Sequence, residues 1–319
     1  MRIVNLIEDT QGTNGCAYAH GLSFYIETAG HRMLMDLGPG RETLGNAAAL
    51  GIDLRAVDTV VLSHGHYDHS GGIMPFAEIN DRAAIYMQES AKGAFYADDM
   101  PDGEAEKDVM DKDGTPTGQG SHGHAEEKTR YRYIGIDERI PGLPQVSMIS
   151  GDFVIDDGIE VFTVKKRTHA LPSTNRRLLV KRKTREQNGQ DDAVDRVAGA
   201  TYFSCDDFVH EQFLVVRENG KSVLLSGCAH NGILSILDAY KEKYGACPDA
   251  VISGFHLMKK SAYTAGETAE IRAIAEELKA YPTTFFTCHC TGMTAYEEMR
   301  EIMGEKLRYV HSGEAIEFR

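Results

Sequence analysis

Along residues 1–36 apolar and polar positions alternate with a period of two, in MRIVNLIED, then GLSFYIETAG, then HRMLMDLGPG. Successive side chains of a strand point to opposite faces, so this spacing predicts three strands. Ala29-Gly30-His31 reads as the hairpin turn between the second and third. Residues 43–50 have helical spacing, and 54–62 lead into an apolar strand ending at Val60-Val61-Leu62. Residues 73–80 read as a helix and 83–88, AAIYMQ, as a short strand. Further on, 146–164 (VSMISGDFVIDDGIEVFTV) predicts strands turning at Asp157-Gly158. EQFLVV and KSVLLSG are joined at Glu218-Asn219-Gly220, and Asn-Gly between alternating apolar runs is a strong hairpin signal. Helices are expected at 231–244 and 265–280. Strands, helix, strands, helix in this order predict two sheets, each covered by helices.

Two stretches break the pattern. Residues 97–130 are acidic, glycine-rich and poor in large apolar groups. They predict a surface insertion or lid, because too little apolar surface is present to offset ordering. Residues 181–200, KRKTREQNGQDDAVDRVAGA, form a second such segment.

The chemistry concentrates where the strand at 60–62 stops. Within VVLSHGHYDHSGG lie His64, His66, Asp68 and His69. On an extended chain His64 and His66 point the same way and can chelate one cation together. Asp68 and His69 follow where the chain turns, and can face a second. Imidazole plus carboxylate suits zinc, iron or manganese. Gly71-Gly72 permits the tight turn that follows.

Composition narrows the partners. The formal net charge of −14 argues against nucleic acid and against an anionic membrane surface. The N-terminus reads as a strand start rather than a signal peptide. No apolar run approaches the roughly 20 residues that span a bilayer. The six cysteines, Cys16, Cys205, Cys228, Cys247, Cys288 and Cys290, are scattered. Reduced thiols and a cytoplasmic location are therefore expected.

HxHxDH after an apolar strand resembles the signature of the metallo-β-lactamase superfamily. Further segments are similar to one branch of it, which includes the dihydropterin-condensing synthase of methanopterin biosynthesis. They are HGLSFYIET (20–28), LSHGHYDHSGG (62–72), PSTNRRL (172–178), HEQFLVV (210–216), LLSGCAHNGI (224–233), SGFHL (253–257) and CHCTG (288–292). The resemblance implies a single α/β domain over 1–319, an αββα four-layer sandwich with two metals at one edge of its sheets. It also implies a late histidine ligand, best matched by His289, with a thiolate clamp by Cys288 and Cys290 as the rival. Where the superfamily usually carries a bridging aspartate this chain has Cys228, with His230 two residues on. His230 is the expected ligand, Cys228 a ligand or near neighbour, and His210 or His169 an alternative third histidine. Asp68 and His210 are the expected catalytic residues. Arg176, Arg177 and His256 are candidates for substrate binding, with Asn175 beside the arginine pair and His20 near the pocket. His122 and His124 fall in the insertion and carry no expected metal.

Two divalent ions held about 3.5–4 Å apart, zinc before iron or manganese, would generate a hydroxide that attacks a phosphoryl or acyl centre of a small anionic substrate. The alternatives are a pterin-condensing transferase, which uses the metals as Lewis acids, and a metal-binding sensor or binding module without turnover. Substrate, metal identity and oligomeric state are not encoded in these motifs.

Overall fold

The computed structural model describes residues 1–13, 15–28, 30–99, 130–183 and 201–318. They divide into two compact units. The first comprises Met1–Lys92, Ile136–Asn175 and Phe208–Arg319, and the second Gly93–Gly135 and Arg176–Asp207.

The first unit contains two seven-stranded sheets. One runs, in spatial order, β18 (Ala315–Glu317), β1 (Arg2–Ile7), β2 (Ser23–Thr28), β3 (His31–Met35), β4 (Thr59–Val61), β5 (Ala84–Gln88) and β8 (Val146–Ile149). The other runs β17 (Leu307–Tyr309), β16 (Thr284–Thr287), β15 (Ala250–Ser253), β14 (Lys221–Leu225), β13 (Phe213–Glu218), β10 (Ile159–Phe162) and β9 (Phe153–Asp156). Each sheet changes from antiparallel to parallel pairing part-way across, at β3–β4 and at β14–β15.

Period-two alternation decides which face each residue serves. Phe24, Met33 and Val61 of one sheet share an apolar cluster with Leu214, Val223 and Ile252 of the other. Their neighbours Tyr25, Leu34 and Val60 join a second cluster with Ala47 and Phe76 from the helices α1 (Arg41–Ala49) and α3 (Ile73–Ala77). Val215, Leu224 and Val251 join a third, with residues of α4 (Ile233–Tyr244), α5 (Ala265–Ala280) and α6 (Met293–Met303). Strands covered on both faces bury nearly every side chain, as the apolar runs require. Helix, sheet, sheet and helix thus alternate with apolar layers, the α/β class expected from the chain.

The Asn219-Gly220 hairpin forms as expected, with both residues at positive φ (52° and 73°). The helix α6 was not evident in the sequence. Only Ala295, Met299 and Met303 are buried, a stripe one residue wide.

The second unit is a four-stranded antiparallel sheet, β12 (Thr201–Cys205), β11 (Leu178–Lys183), β6 (Phe95–Asp98) and β7 (Tyr131–Tyr133). One face buries Phe95, Ala97, Ile134 and Val180, and the other gathers the rings of Tyr96, Tyr131, Tyr133 and Phe203. Both polar stretches therefore begin inside strands, at residues 97–98 and 181–183. Ladder pairing satisfies their backbone despite the charges of Lys181, Arg182 and Lys183. Residues 100–129 and 184–200 lie outside the described residues, and with them the lid expectation, His122 and His124.

Phe285 is fully buried among the helices that cover the second sheet. Phe285→Ala is expected to cost about 3–5 kcal/mol, read as a lower urea midpoint at unchanged slope.

Candidate metal centre

The site lies in the first unit, where strands of both sheets end. The turn after β4 supplies His64, His66, Asp68 and His69, the last two within the short helix α2 (Tyr67–Ser70). The turn after β14 supplies Cys228 and His230, and the 3-10 turn after β16 supplies His289. The two sheets meet closely here. A Cβ on Gly227 would stand 2.3 Å from Ser63 Oγ, so only glycine fits.

Two of the buried donor sets share a residue. One is His64, Cys228 and His230, and the other is His69, Cys228 and His289, with the ligand atoms of each set within 4.8 Å of one another. Cys228 belongs to both. His64 Nε2 and His230 Nε2 are 3.3 Å apart, His69 Nε2 and His289 Nε2 are 3.3 Å apart, and His69 Nε2 is 3.2 Å from Cys228 Sγ. Tetrahedral zinc holds its nitrogen and sulfur ligands about 3.3–3.6 Å from each other, so the spacing fits such an ion.

The outer partners set which nitrogen carries a proton. Ser63 Oγ donates to Asp36 Oδ2 at 2.7 Å and therefore accepts from His64 Nδ1 at 2.8 Å. Asp36 Oδ2 also accepts from His69 Nδ1 at 2.6 Å, and Asp36 Oδ1 accepts the Ser63 N–H at 2.7 Å. Asn175 Oδ1 accepts from His230 Nδ1 at 2.9 Å, while its Nδ2 donates to the His230 carbonyl at 2.7 Å. Asp9 accepts from His289 Nδ1. In each case Nδ1 carries a proton and Nε2 turns inward, the outer-partner pattern of metal-ligating histidines.

Charges follow the same geometry. Burial, then the neighbouring imidazoles, hold His64 and His230 well below the ordinary histidine range. Burial works against charge on His289 too, but Cys290, Asp9 and Asp68 together hold its pKa well above that range. Burial would raise Asp68, yet His69, His289 and His20 hold it well below the carboxylate range. A proton on His289 can therefore separate it from His69. Between His64 and His230, both neutral, two lone pairs face each other.

The remaining expected residues divide. Asp68 Oδ2 stands 3.5 Å from His289 Nε2, 3.7 Å from His69 Nε2 and 3.4 Å from His20 Nε2. His66 is buried, its ring centre 4.5 Å from that of His64 and 5.0 Å from that of His230. His210 Nδ1 accepts the Gly65 N–H at 3.0 Å, so in the neutral ring Nε2 carries the hydrogen. His256 lies 4.2 Å from the His230 ring, and Thr174 Oγ1 is 3.1 Å from its Nδ1. Asn175 locks His230 instead of waiting for an anion. Arg176 and Arg177 belong to the second unit. Among the described residues neither Cys288, Cys290 nor His169 joins a donor set. His169 pairs with Asp238 at 3.1 Å, and Cys290 Sγ accepts the His256 N–H at 3.3 Å.

Asp36 and Asp9 were missed in the sequence. A signal existed for Asp36, an acid at a strand end before Leu-Gly-Pro-Gly. Six non-glycine residues among those described have positive φ, and five of them, Asp36, Phe208, Ala229, His256 and His289, line or border this site. Phe208 stacks on His230 with ring centres 4.7 Å apart. Backbone strain persists where surrounding contacts over-determine it, as at functional sites.

Comparisons agree with this geometry. A family profile described as "Metallo-beta-lactamase superfamily" matches residues 19–166. A crystal structure of a metal-dependent hydrolase of the beta-lactamase superfamily aligns with 100% of this chain and 99% of its own, at 25% identity and a TM-score of 0.70. The chain is thus similar to the metallo-beta-lactamase superfamily over those residues and in its fold. Two Methanocaldococcus jannaschii proteins are similar along nearly their whole length. One, 26% identical and covering 100% of this chain and 97% of its own, is a 7,8-dihydropterin-6-methyl-4-(beta-D-ribofuranosyl)-aminobenzene-5'-phosphate synthase. The other, 25% identical over 93% of each chain, is uncharacterized. No helix among the described residues is long and apolar enough to cross a membrane.

A pH dependence follows. His64 and His230 stay neutral when folded but take up protons when unfolded below about pH 6.5. The unfolded state then binds more protons, so stability falls as pH falls below that value. His289, with its raised pKa, contributes in the opposite sense. Chelator-treated protein is expected to show a lower urea midpoint at pH 5 than at pH 7. His230→Asn should flatten that slope.

Proposed function

We propose that this site is a dinuclear metal centre of a hydrolase acting on a small anionic phosphoester or ester. The observation that carries the reading is Cys228 Sγ, shared by two donor sets whose histidine Nε2 atoms turn inward. His64 and His230 would hold one ion, and His69, His289 and Asp68 the other, with Cys228 between them and His66 completing the first. Thiolate with imidazole favours zinc, admits iron, and disfavours manganese. The chemistry such ions supply is Lewis acidity toward a phosphoryl or acyl oxygen and a lowered pKa for a coordinated water.

The chain's own residues do the rest. Asp68, ionised and hydrogen-bonded by its histidine neighbours, orients the attacking group and accepts its proton. His210 presents an N–H to the substrate's developing negative charge. His256 at the His230 ring would hold the substrate anion. A thiolate in place of a carboxylate would bring the same single negative charge on a softer ligand atom.

A second reading is a pterin-condensing transferase, and the full-length similarity to the methanogen synthase favours it. A metal-binding module without turnover is the third.

Protein purified without added metal or chelator is expected to carry about two equivalents of zinc or iron. It should hydrolyse an activated phosphodiester, lose that activity to chelator and regain it with metal. Asp68→Asn should lower kcat by roughly 10²-fold or more. Release of pyrophosphate from a pterin pyrophosphate and an arylamine, without hydrolysis, would establish the transferase instead. Two metals with neither activity would leave the binding module.

A further inference from the structure

Two fully buried carboxylates, Glu8 and Glu211, belong to neither donor set. Burying a carboxylate costs several kcal/mol unless donors compensate, so their partners show what each is for. Glu211 precedes β13. Its Oε1 accepts the His230 N–H at 2.7 Å, and its Oε2 accepts the Asn231 N–H at 2.8 Å and Asn231 Nδ2 at 2.9 Å. Glu8 follows β1. Its Oε2 accepts the His289 N–H at 2.9 Å and the Tyr309 hydroxyl at 2.9 Å, and its Oε1 accepts the Thr10 N–H at 2.8 Å.

The two cases match. Each carboxylate grips the backbone amide of a histidine whose imidazole faces a donor set. Each does so at a strained turn, with Ala229 at φ 55° before His230 and His289 itself at φ 50°. Turns of this kind keep their shape only when other contacts fix them. The backbone N–H groups would otherwise be buried without acceptors. Each carboxylate serves a different set, and Cys228 is the only residue common to the two sets.

We propose that Glu211 is the positioning residue for the His64/Cys228/His230 cation site and Glu8 the positioning residue for the His69/Cys228/His289 site, each acting through a backbone amide. This rests on the dinuclear reading. Neither glutamate touches an ion or a substrate. Their task is to hold an imidazole within the few tenths of an ångström that a metal ligand tolerates.

The test is a chelator competition on the zinc-loaded protein, followed by elemental analysis, for the wild type, Glu211→Gln and Glu8→Gln. The wild type should release two equivalents in two resolvable steps. Each variant should show about 10–100-fold weaker affinity at one step only, and the two variants should weaken different steps. Thermal unfolding of the chelated proteins separates positioning from general damage, because a merely structural residue would lower the metal-free melting temperature and leave the two-step pattern intact. Glu211→Asp, which keeps the charge, should recover part of the lost affinity. If the glutamine variants do not fold, Asn231→Ala and Tyr309→Phe each remove one donor from a carboxylate and should weaken the corresponding step by about 2–10-fold. Unchanged titrations, or both variants weakening the same step, would overturn the assignment. A wild type that binds no second ion would instead overturn the dinuclear reading.

Discussion

Two imidazole nitrogens that each carry a lone pair do not sit 3.3 Å apart in a dry protein interior without something positive between them. His64 and His230 are in that position. Their Nδ1 hydrogens are committed to Ser63 and Asn175, and burial keeps both rings neutral. The first unit is built so that this arrangement cannot relax. Gly227 admits Ser63 at a distance no side chain would allow, and Asp36 ties Ser63 to His69. The repulsion is held in place by the same apolar layers that hold the sheets together. That makes a cation the natural completion of the fold at this point.

The second donor set solves the same problem differently. His289 is held basic by Asp9, Asp68 and Cys290 despite its burial, so a proton can separate it from His69. The two halves of the site thus differ in what they release when an ion enters. Burial pushes the shared Cys228 thiol well above its usual range, so an ion entering either set displaces a proton from that sulfur, and the second set has the His289 proton to lose besides. Cys228 lies at the junction of both. A thiolate there is softer than a carboxylate and accepts fewer hydrogen bonds, so the departure from the superfamily's usual bridging acid bears directly on which metals and which chemistry the centre supports.

Much of this was legible in the chain. Apolar runs gave most strands of both sheets, because strands buried on two faces must be apolar at nearly every position, but not the short edge strands β17 and β18. The clustering of His64, His66, Asp68 and His69 identified the site because those residues are close in sequence as well as in space. What could not be read were the residues that hold them. Asp9 and His289 are 280 positions apart, and Glu8 and the His289 amide 281. No local spacing marks such pairs, and a lone acid at a strand end is chemically silent until its partner is known. Asn175 shows the converse. Beside two arginines it suggested an anion site, whereas its side chain brackets both ends of His230. The charged ends of β6 and β11 were misjudged because the polar residues there are tolerated by ladder pairing, which the hydrophobic pattern does not register.

The central claim is that one sulfur, that of Cys228, is shared by two ions. X-ray absorption at the zinc edge of the two-zinc protein tests it most directly. The account predicts a sulfur scatterer at about 2.3 Å averaging one per zinc, together with a zinc–zinc vector. A shell of nitrogen and oxygen alone would contradict it.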